Sequence, residues 1–153
     1  HGDNEEARIQ MSLAALEAGI AFNNSSVTIV HGMSRPIGAL FHIAHGLSNA
    51  VLLEVCMNYV KDGALDRFAD LARYCGMTQT EDDQKAADLF IENLTALLAK
   101  LNVPTLAQLN VDRDQFFSAL EKMAHDAAVS GSPANTRKPI TEAAMIELYR
   151  QLW

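Results

Sequence analysis

Cysteine, proline, glycine and positive charge are all in short supply here, and each shortage excludes something. Two cysteines, Cys56 and Cys75, are too few for a disulfide framework and share no metal-ligand spacing. They read as reduced thiols, which fits a cytoplasmic protein. Four prolines and eight glycines leave few breaks, and alternating β-branched runs are scarce, so the chain reads as all-α. Twelve basic residues face nineteen acidic ones, for a net charge of −7. With no basic patch to neutralise phosphates, nucleic acid is excluded as a partner. No apolar run reaches the roughly 20 residues of a membrane span, and no signal peptide heads the chain, so no membrane is expected. No Gly-x-Ser-x-Gly elbow occurs, which argues against a hydrolase built on Ser34, Ser48 and His42. No glycine-rich phosphate loop occurs either, so no residue is assigned to coenzyme binding.

What is present suits one globular domain over residues 1–153. Hydrophobic residues make up 49% and charged residues 20%, which is the composition of a folded chain rather than a disordered one. No linker, internal repeat or low-complexity segment divides it. Periodicity predicts a first helix over 4–22, with Asp3-x-x-Glu6 as capping pair and Ile9, Leu13, Leu16 and Ile20 as a buried stripe. The β-branched run Val27-Thr28-Ile29-Val30 favours a strand by propensity. It is apolar on every side, so it is expected at the centre of the fold. Further helices are predicted over 45–59 and 64–75, the second ended by Gly76. The longest runs over 80–101, opened by a Thr78-x-x-Glu81 capping box, with Phe90, Leu94, Leu97 and Leu101 inward. Asp112-x-x-Gln115 caps a helix over 112–129 with Phe116, Leu120 and Met123 inward. The last spans 141–152, with Met145, Leu148 and Leu152 inward.

Chemistry concentrates between His31 and Gly46, which holds three of the five histidines. Isolated histidines are usually surface groups or satisfied core residues. His31 and His45 are also fourteen positions apart, about 21 Å along one unbroken helix. Pro36 and Gly38 lie between them, and a proline disfavours helix for itself and for the residue before it. If the chain folds back between Arg35 and His45, two neutral imidazoles can face one point. That pair suits a transition metal such as iron or zinc.

Val30-His31-Gly32-Met33-Ser34-Arg35-Pro36-Ile37-Gly38-Ala39, followed by His45-Gly46-Leu47-Ser48-Asn49-Ala50-Val51-Leu52-Leu53, resembles the signature of the iron-containing (group III) alcohol dehydrogenases. Asp3 to Arg8, Ala18 to Ser25, Asn135-Thr136-Arg137 and Ile140-Thr141-Glu142 extend the resemblance, so nearly the whole chain resembles that family's C-terminal helical domain. The resemblance implies an all-α, dehydroquinate-synthase-like domain in which Val27 to Val30 is helical. It implies that His31 and His45 are two of four ligands to Fe2+ (or Zn2+). Arg35 then lies beside the nicotinamide or the substrate, at a position where many members carry histidine. The other two ligands, an Asp-x-x-x-His pair, precede this region in the family, and no such pair precedes His31. Glu121-Lys122-Met123-Ala124-His125 has the spacing in the wrong place and reads as a surface pair. The proline that usually follows the Leu-Leu pair is missing after Leu53.

Two functional readings follow. In one, the chain is the helical half of an NAD(P)-dependent alcohol dehydrogenase acting on small alcohols and aldehydes, with the nucleotide-binding domain absent. The isolated chain is then expected to bind metal weakly and to turn over no alcohol. In the other, it is a stand-alone non-catalytic helical module or a decayed fragment of that family. Either way the surface around His31, Pro36, Phe41, His45 and Leu47 is expected to need a partner, either a second copy or an α/β coenzyme-binding domain in trans. Arg137 is read as a solvated surface charge.

Overall fold

Helix α2 (Ile29–Phe41) is the element on which the rest is assembled. The computed structural model describes residues 2–153; His1, the first residue of the expected domain, lies outside the described residues. Seven of the thirteen α2 residues are buried, among them Ile29, Val30, Met33 and Ile37. The β-branched start of this segment is therefore helical, as the resemblance implies: tertiary burial overrides strand propensity. Val27 and Thr28 stay outside the helix, with Thr28 at its N-cap.

α1 (Glu5–Ser25) precedes α2 and meets it at a bend of 110°. Asn4, not Asp3, caps α1, accepting a bond from the Ala7 N–H at 3.0 Å. α3 (His45–Val60) lies against α2, and α7 (Leu120–Val129) packs on another side of it. α4 (Leu65–Tyr74) and α5 (Asp83–Lys100) pair with each other. α6 (Arg113–Ser118) leads into α7, and α8 (Glu142–Arg150) closes the chain over α7 and α3. Eight α-helices and two short 3₁₀ turns account for the regular structure, and no strand occurs among the described residues. The all-α expectation is met. No single described helix is long and apolar enough to cross a membrane.

Several local expectations change. The stripe Ile9, Leu13, Leu16 and Ile20 is exposed, at 59%, 47%, 61% and 57%, because none of the described residues covers that face of α1. α5 starts at Asp82, whose carboxylate accepts from the Lys85 N–H at 3.1 Å. Thr78 instead bonds the Thr80 N–H in a turn of its own. α5 buries Ala86, Ala87 and Ile91, whereas Leu97 and Leu101 remain exposed, because α4 covers only its first turns. Small alanines let α4 and α5 approach closely, with Phe68 meeting Phe90 edge-on at 5.4 Å. The helix expected over 112–129 breaks at Ala119 into α6 and α7, yet Phe116, Leu120 and Met123 are buried as expected. Asp112 caps it through the Gln115 N–H at 2.8 Å. Met145 and Leu148 of α8 are buried, and Leu152, two residues beyond its end, is half-buried.

The core centres on Phe116. Its ring touches Phe41, Phe117, Tyr149 and Trp153, with centroids 5.7 to 6.2 Å apart. Tyr149, itself buried, donates to the Met33 carbonyl at 2.7 Å and so ties α8 to α2. Gly32 admits a close approach: a Cβ there would sit 2.7 Å from the Pro133 ring. That contact seats the 3₁₀ turn Ser132–Asn135 against α2.

Candidate metal half-site

Pro36 does not turn the chain. It lies inside α2, where its missing N–H forgoes one bond and its ring crowds the carbonyl of Gly32. Its burial in the core offsets that loss. The helix ends five residues later, at Phe41, and its C-cap His42 adopts left-handed backbone (φ 54°, ψ 32°), a conformation usual at helix ends. The chain then doubles back through Ile43 and Ala44. Gly38 permits this, since a Cβ there would stand 3.1 Å from the Ile43 carbonyl oxygen. α3 begins at His45. The fold-back expected between Arg35 and His45 is therefore made by the last three residues of that interval.

Its consequence is the expected one. The rings of His31 and His45 stand 5.3 Å apart between centroids, tilted by 53°. With a ring nitrogen about 1.1 Å from its centroid and a metal–nitrogen bond of about 2.1 Å, two imidazoles at a tetrahedral angle have centroids about 5.2 Å apart. The spacing therefore fits two ligands of one ion. Burial first, then His45, then Arg35 lower the pKa of His31 below its ordinary value. The neutral, metal-binding form is thus favoured at neutral pH. No group of three or more histidine, cysteine or acidic side chains that could hold a metal occurs among the described residues. The two imidazoles stand without a third such side chain beside them among the described residues.

Arg35 lies one turn beyond His31 on α2 and is held from across the fold. Its guanidinium donates to Ser132 Oγ at 3.1 Å. Asn135 pins the α1–α2 connection, donating to Ser26 Oγ at 3.1 Å and to the Val27 carbonyl at 3.0 Å. The Ile29 N–H donates to Thr136 Oγ1 at 3.2 Å. The segment around 132–136 thus fixes both the start of α2 and the arginine. No local sequence pattern marks Ser132 as Arg35's partner, because the two are 97 positions apart.

His31, Arg35 and His45 line a cleft of about 980 Å³ whose far wall is Ala18, Gly19 and Phe22 of α1. A narrower, largely apolar recess of about 430 Å³ adjoins it between Phe22, Val27, Val30, His31 and Leu53. The expected partner-seeking surface is thus only partly exposed. Pro36 is buried, and Phe41 is half-buried against Phe116. His42 and His45 are exposed at the rim. Asn49 is the residue the sequence reading passed over: its Nδ2 lies 3.1 Å from His45 Nε2. The signal was available, since residues four apart on a helix share a face.

The other candidates lie elsewhere. Arg137 is paired with Asp66 at 2.8 Å and Lys138 with Asp62 at 3.1 Å. His125 meets Glu142 at 3.3 Å on the surface. Cys56 is buried and Cys75 exposed, both unpaired.

The sequence matches the family described as "Fe-containing alcohol dehydrogenase family, C-terminal" over residues 1–153. It is 34% identical to long-chain-alcohol dehydrogenase 1 of Geobacillus thermodenitrificans over 152 residues, covering 97% of this chain and 38% of that protein. It is equally similar, at 34%, to 1,3-propanediol dehydrogenase of Citrobacter freundii, covering 98% and 38%. The fold superposes on a crystal structure of 1,3-propanediol oxidoreductase with a TM-score of 0.90 at 31% identity, covering 99% of this chain and 39% of that one. The chain therefore spans about 38% of the length of the relatives it matches.

Proposed function

The chain belongs to the iron-containing alcohol dehydrogenase family, and we propose that it supplies the helical, metal-binding half of an NAD(P)-dependent enzyme that interconverts small alcohols and aldehydes. The observation that carries this reading is the imidazole pair, 5.3 Å apart on the wall of a cleft. In it, His31 and His45 hold Fe2+ or Zn2+. Lewis acidity toward the alcohol or carbonyl oxygen is what such an ion supplies when bound. His31 is kept neutral by its surroundings and so keeps a lone pair for the ion. Arg35, fixed by Ser132, sits beside the substrate or the nicotinamide. The apolar recess next to His31 shelters the carbon chain of the substrate from water.

The remaining ligands and the coenzyme site belong, in this reading, to an α/β coenzyme-binding domain, in the same polypeptide or in trans. That domain or a second copy of the chain covers the exposed stripe of α1. The two free thiols accord with a reducing, cytoplasmic setting. The proline missing after Leu53 marks no break, for α3 runs unbroken from His45 to Val60. The non-catalytic alternative gains nothing there.

Calorimetric titration with Zn2+ tests the reading. Weak binding is expected, with an affinity poorer than micromolar, because water must complete the set. His31→Ala and His45→Ala should each abolish it. Binding unchanged in both variants would refute the assignment. Alcohol-dependent reduction of NAD⁺ or NADP⁺ is expected only with a coenzyme domain present, and turnover by this chain alone would contradict the division of labour.

A further inference from the structure

Asn49 lies one turn after His45 on α3, and both line the cleft. One end of its amide is committed: Nδ2 stands 3.1 Å from His45 Nε2. The other end, Oδ1, is buried without a hydrogen-bond partner, the one such side-chain atom among the described residues. A buried unpaired amide oxygen is unfavourable. Turning the amide over is worse, since it would bury an NH₂ group with two unpaired donors in place of one acceptor. The amide therefore presents its donor to His45.

A neutral imidazole carries one N–H and one lone pair. A donor facing Nε2 requires the lone pair there and the proton on Nδ1. The hydrogen bond at one nitrogen thus decides the state of the other. We propose that Asn49 is a positioning residue for His45: it donates to Nε2, fixes the tautomer protonated on Nδ1, and so holds the lone pair on Nε2, where an ion would displace the amide. Residues that orient a metal-binding histidine are ordinarily acceptors at its far nitrogen. Asn49 instead occupies the near one, as a neutral stand-in for a cation. The inference rests on reading His31 and His45 as a metal pair for its purpose, though not for its geometry.

The test uses the chain without metal, labelled with ¹⁵N on histidine, at a pH above 8 where imidazole is neutral. Long-range ¹H–¹⁵N correlation reads the tautomer of each ring directly. In the wild type His45 should show a protonated Nδ1 and an unprotonated Nε2. Asn49→Ala should move the Nε2 resonance strongly upfield as the proton shifts to that nitrogen. Asn49→Asp places an acceptor opposite and should drive the shift to completion. The His42 ring resonances should be the same in all three proteins. A wild-type His45 protonated on Nε2 would overturn the proposal by itself, whether or not the variants fold. So would an identical His45 tautomer in all three. A separate Zn2+ titration followed on the same resonances distinguishes the two readings. If Zn2+ leaves His31 and His45 untouched, the metal assignment fails while the tautomer result stands.

Discussion

α1 and α2 are adjacent in sequence, both strongly apolar, and opposite in fate. α1 has 21 residues and buries none of them. α2 has 13 and buries seven. The difference lies in how the apolar residues are distributed and in what faces them. α2 presents Ile29, Val30, Met33 and Ile37 to α3, α7 and the 132–135 turn. α1 divides its apolar residues between two faces. Ala18, Gly19 and Phe22 look across the cleft toward the histidines. Ile9, Leu13, Leu16 and Ile20 recur at helical spacing on the other side and meet solvent. A periodic stripe says that a face is suited to burial. It does not say which surface buries it.

The sharpest way to break the contrast is to truncate one large side chain in each region. Phe116→Ala removes the ring on which Phe41, Tyr149 and Trp153 converge. Its cost should be about 3–5 kcal/mol, read from urea denaturation. Leu16→Ala on α1 should change stability by less than about 0.5 kcal/mol, because Leu16 is 61% exposed and both residues are good helix formers. If Leu16→Ala costs as much as a core truncation, α1 is packed in solution and the contrast is wrong. Hydrogen exchange gives the same comparison without mutation: α1 amides should exchange well before those of α2, since a lone helix of this length is marginal in water.

A smaller effect is expected where α2 is tied to α8. Tyr149→Phe removes the donor to the Met33 carbonyl at 2.7 Å and leaves that buried oxygen short of a partner. The expected loss is about 1–2 kcal/mol. The aromatic cluster should survive, so near-ultraviolet circular dichroism should keep its sign and most of its amplitude. A variant as stable as the wild type would show that the hydrogen bond contributes nothing net.

Inside and outside also differ in the two thiols. Cys56, on the buried face of α3, has its pKa pushed up to about 12 by burial. Its ordinary value is 9.0. Below about pH 9 the thiol is protonated in both folded and unfolded chains, so it leaves stability independent of pH. Between about pH 9 and about 12 the unfolded chain gives up the proton that the folded chain keeps. Stability should therefore fall as pH rises through that window. Cys56→Ala should flatten the fall. At neutral pH a thiol reagent should label exposed Cys75 within minutes and Cys56 only as fast as the fold opens. Equal labelling rates would place Cys56 outside the core.

How much of this was legible in the sequence follows from the reach of each interaction. Caps are local, so Asp112 was readable from four residues, yet Asp3 and Thr78 were taken for the caps that Asn4 and Asp82 provide, because several short polar residues compete at each helix start. The histidine pair was readable because a long, specific signature carries it. The place of the turn was not: Pro36 is kept helical by burial, and the exit at His42 depends on Gly38 receiving the Ile43 carbonyl. Partners far apart in sequence were also out of reach. Arg35 finds Ser132, and the Ile29 N–H finds Thr136. The stripe of α1 was read correctly as apolar and wrongly as buried, because periodicity carries no information about the missing neighbour. Leu97 and Leu101 of α5 misled in the same way, since α4 is too short to cover them.

The subtlest expected effect lies where the two regions face each other across the cleft. His31 has its pKa lowered by burial first, then by His45 and by Arg35. The sign follows from the direction. Above the ordinary value of 6.5 the ring is neutral in both states. Below it the unfolded chain takes up a proton that the folded chain resists, so His31 costs the fold stability as pH falls. Arg35→Ala removes one of the two charged neighbours without touching the core, since Arg35 is exposed. The His31 titration, followed by NMR, should move up toward its ordinary value but not reach it, because burial remains. The fold should then lose less stability on acidification than the wild type does. Truncating Phe22 on the opposite wall to alanine should raise the His31 pKa as well, by admitting water to the recess beside it. A His31 titration indifferent to Phe22 would mean that α1 does not shield the site, and the cleft would have one wall rather than two.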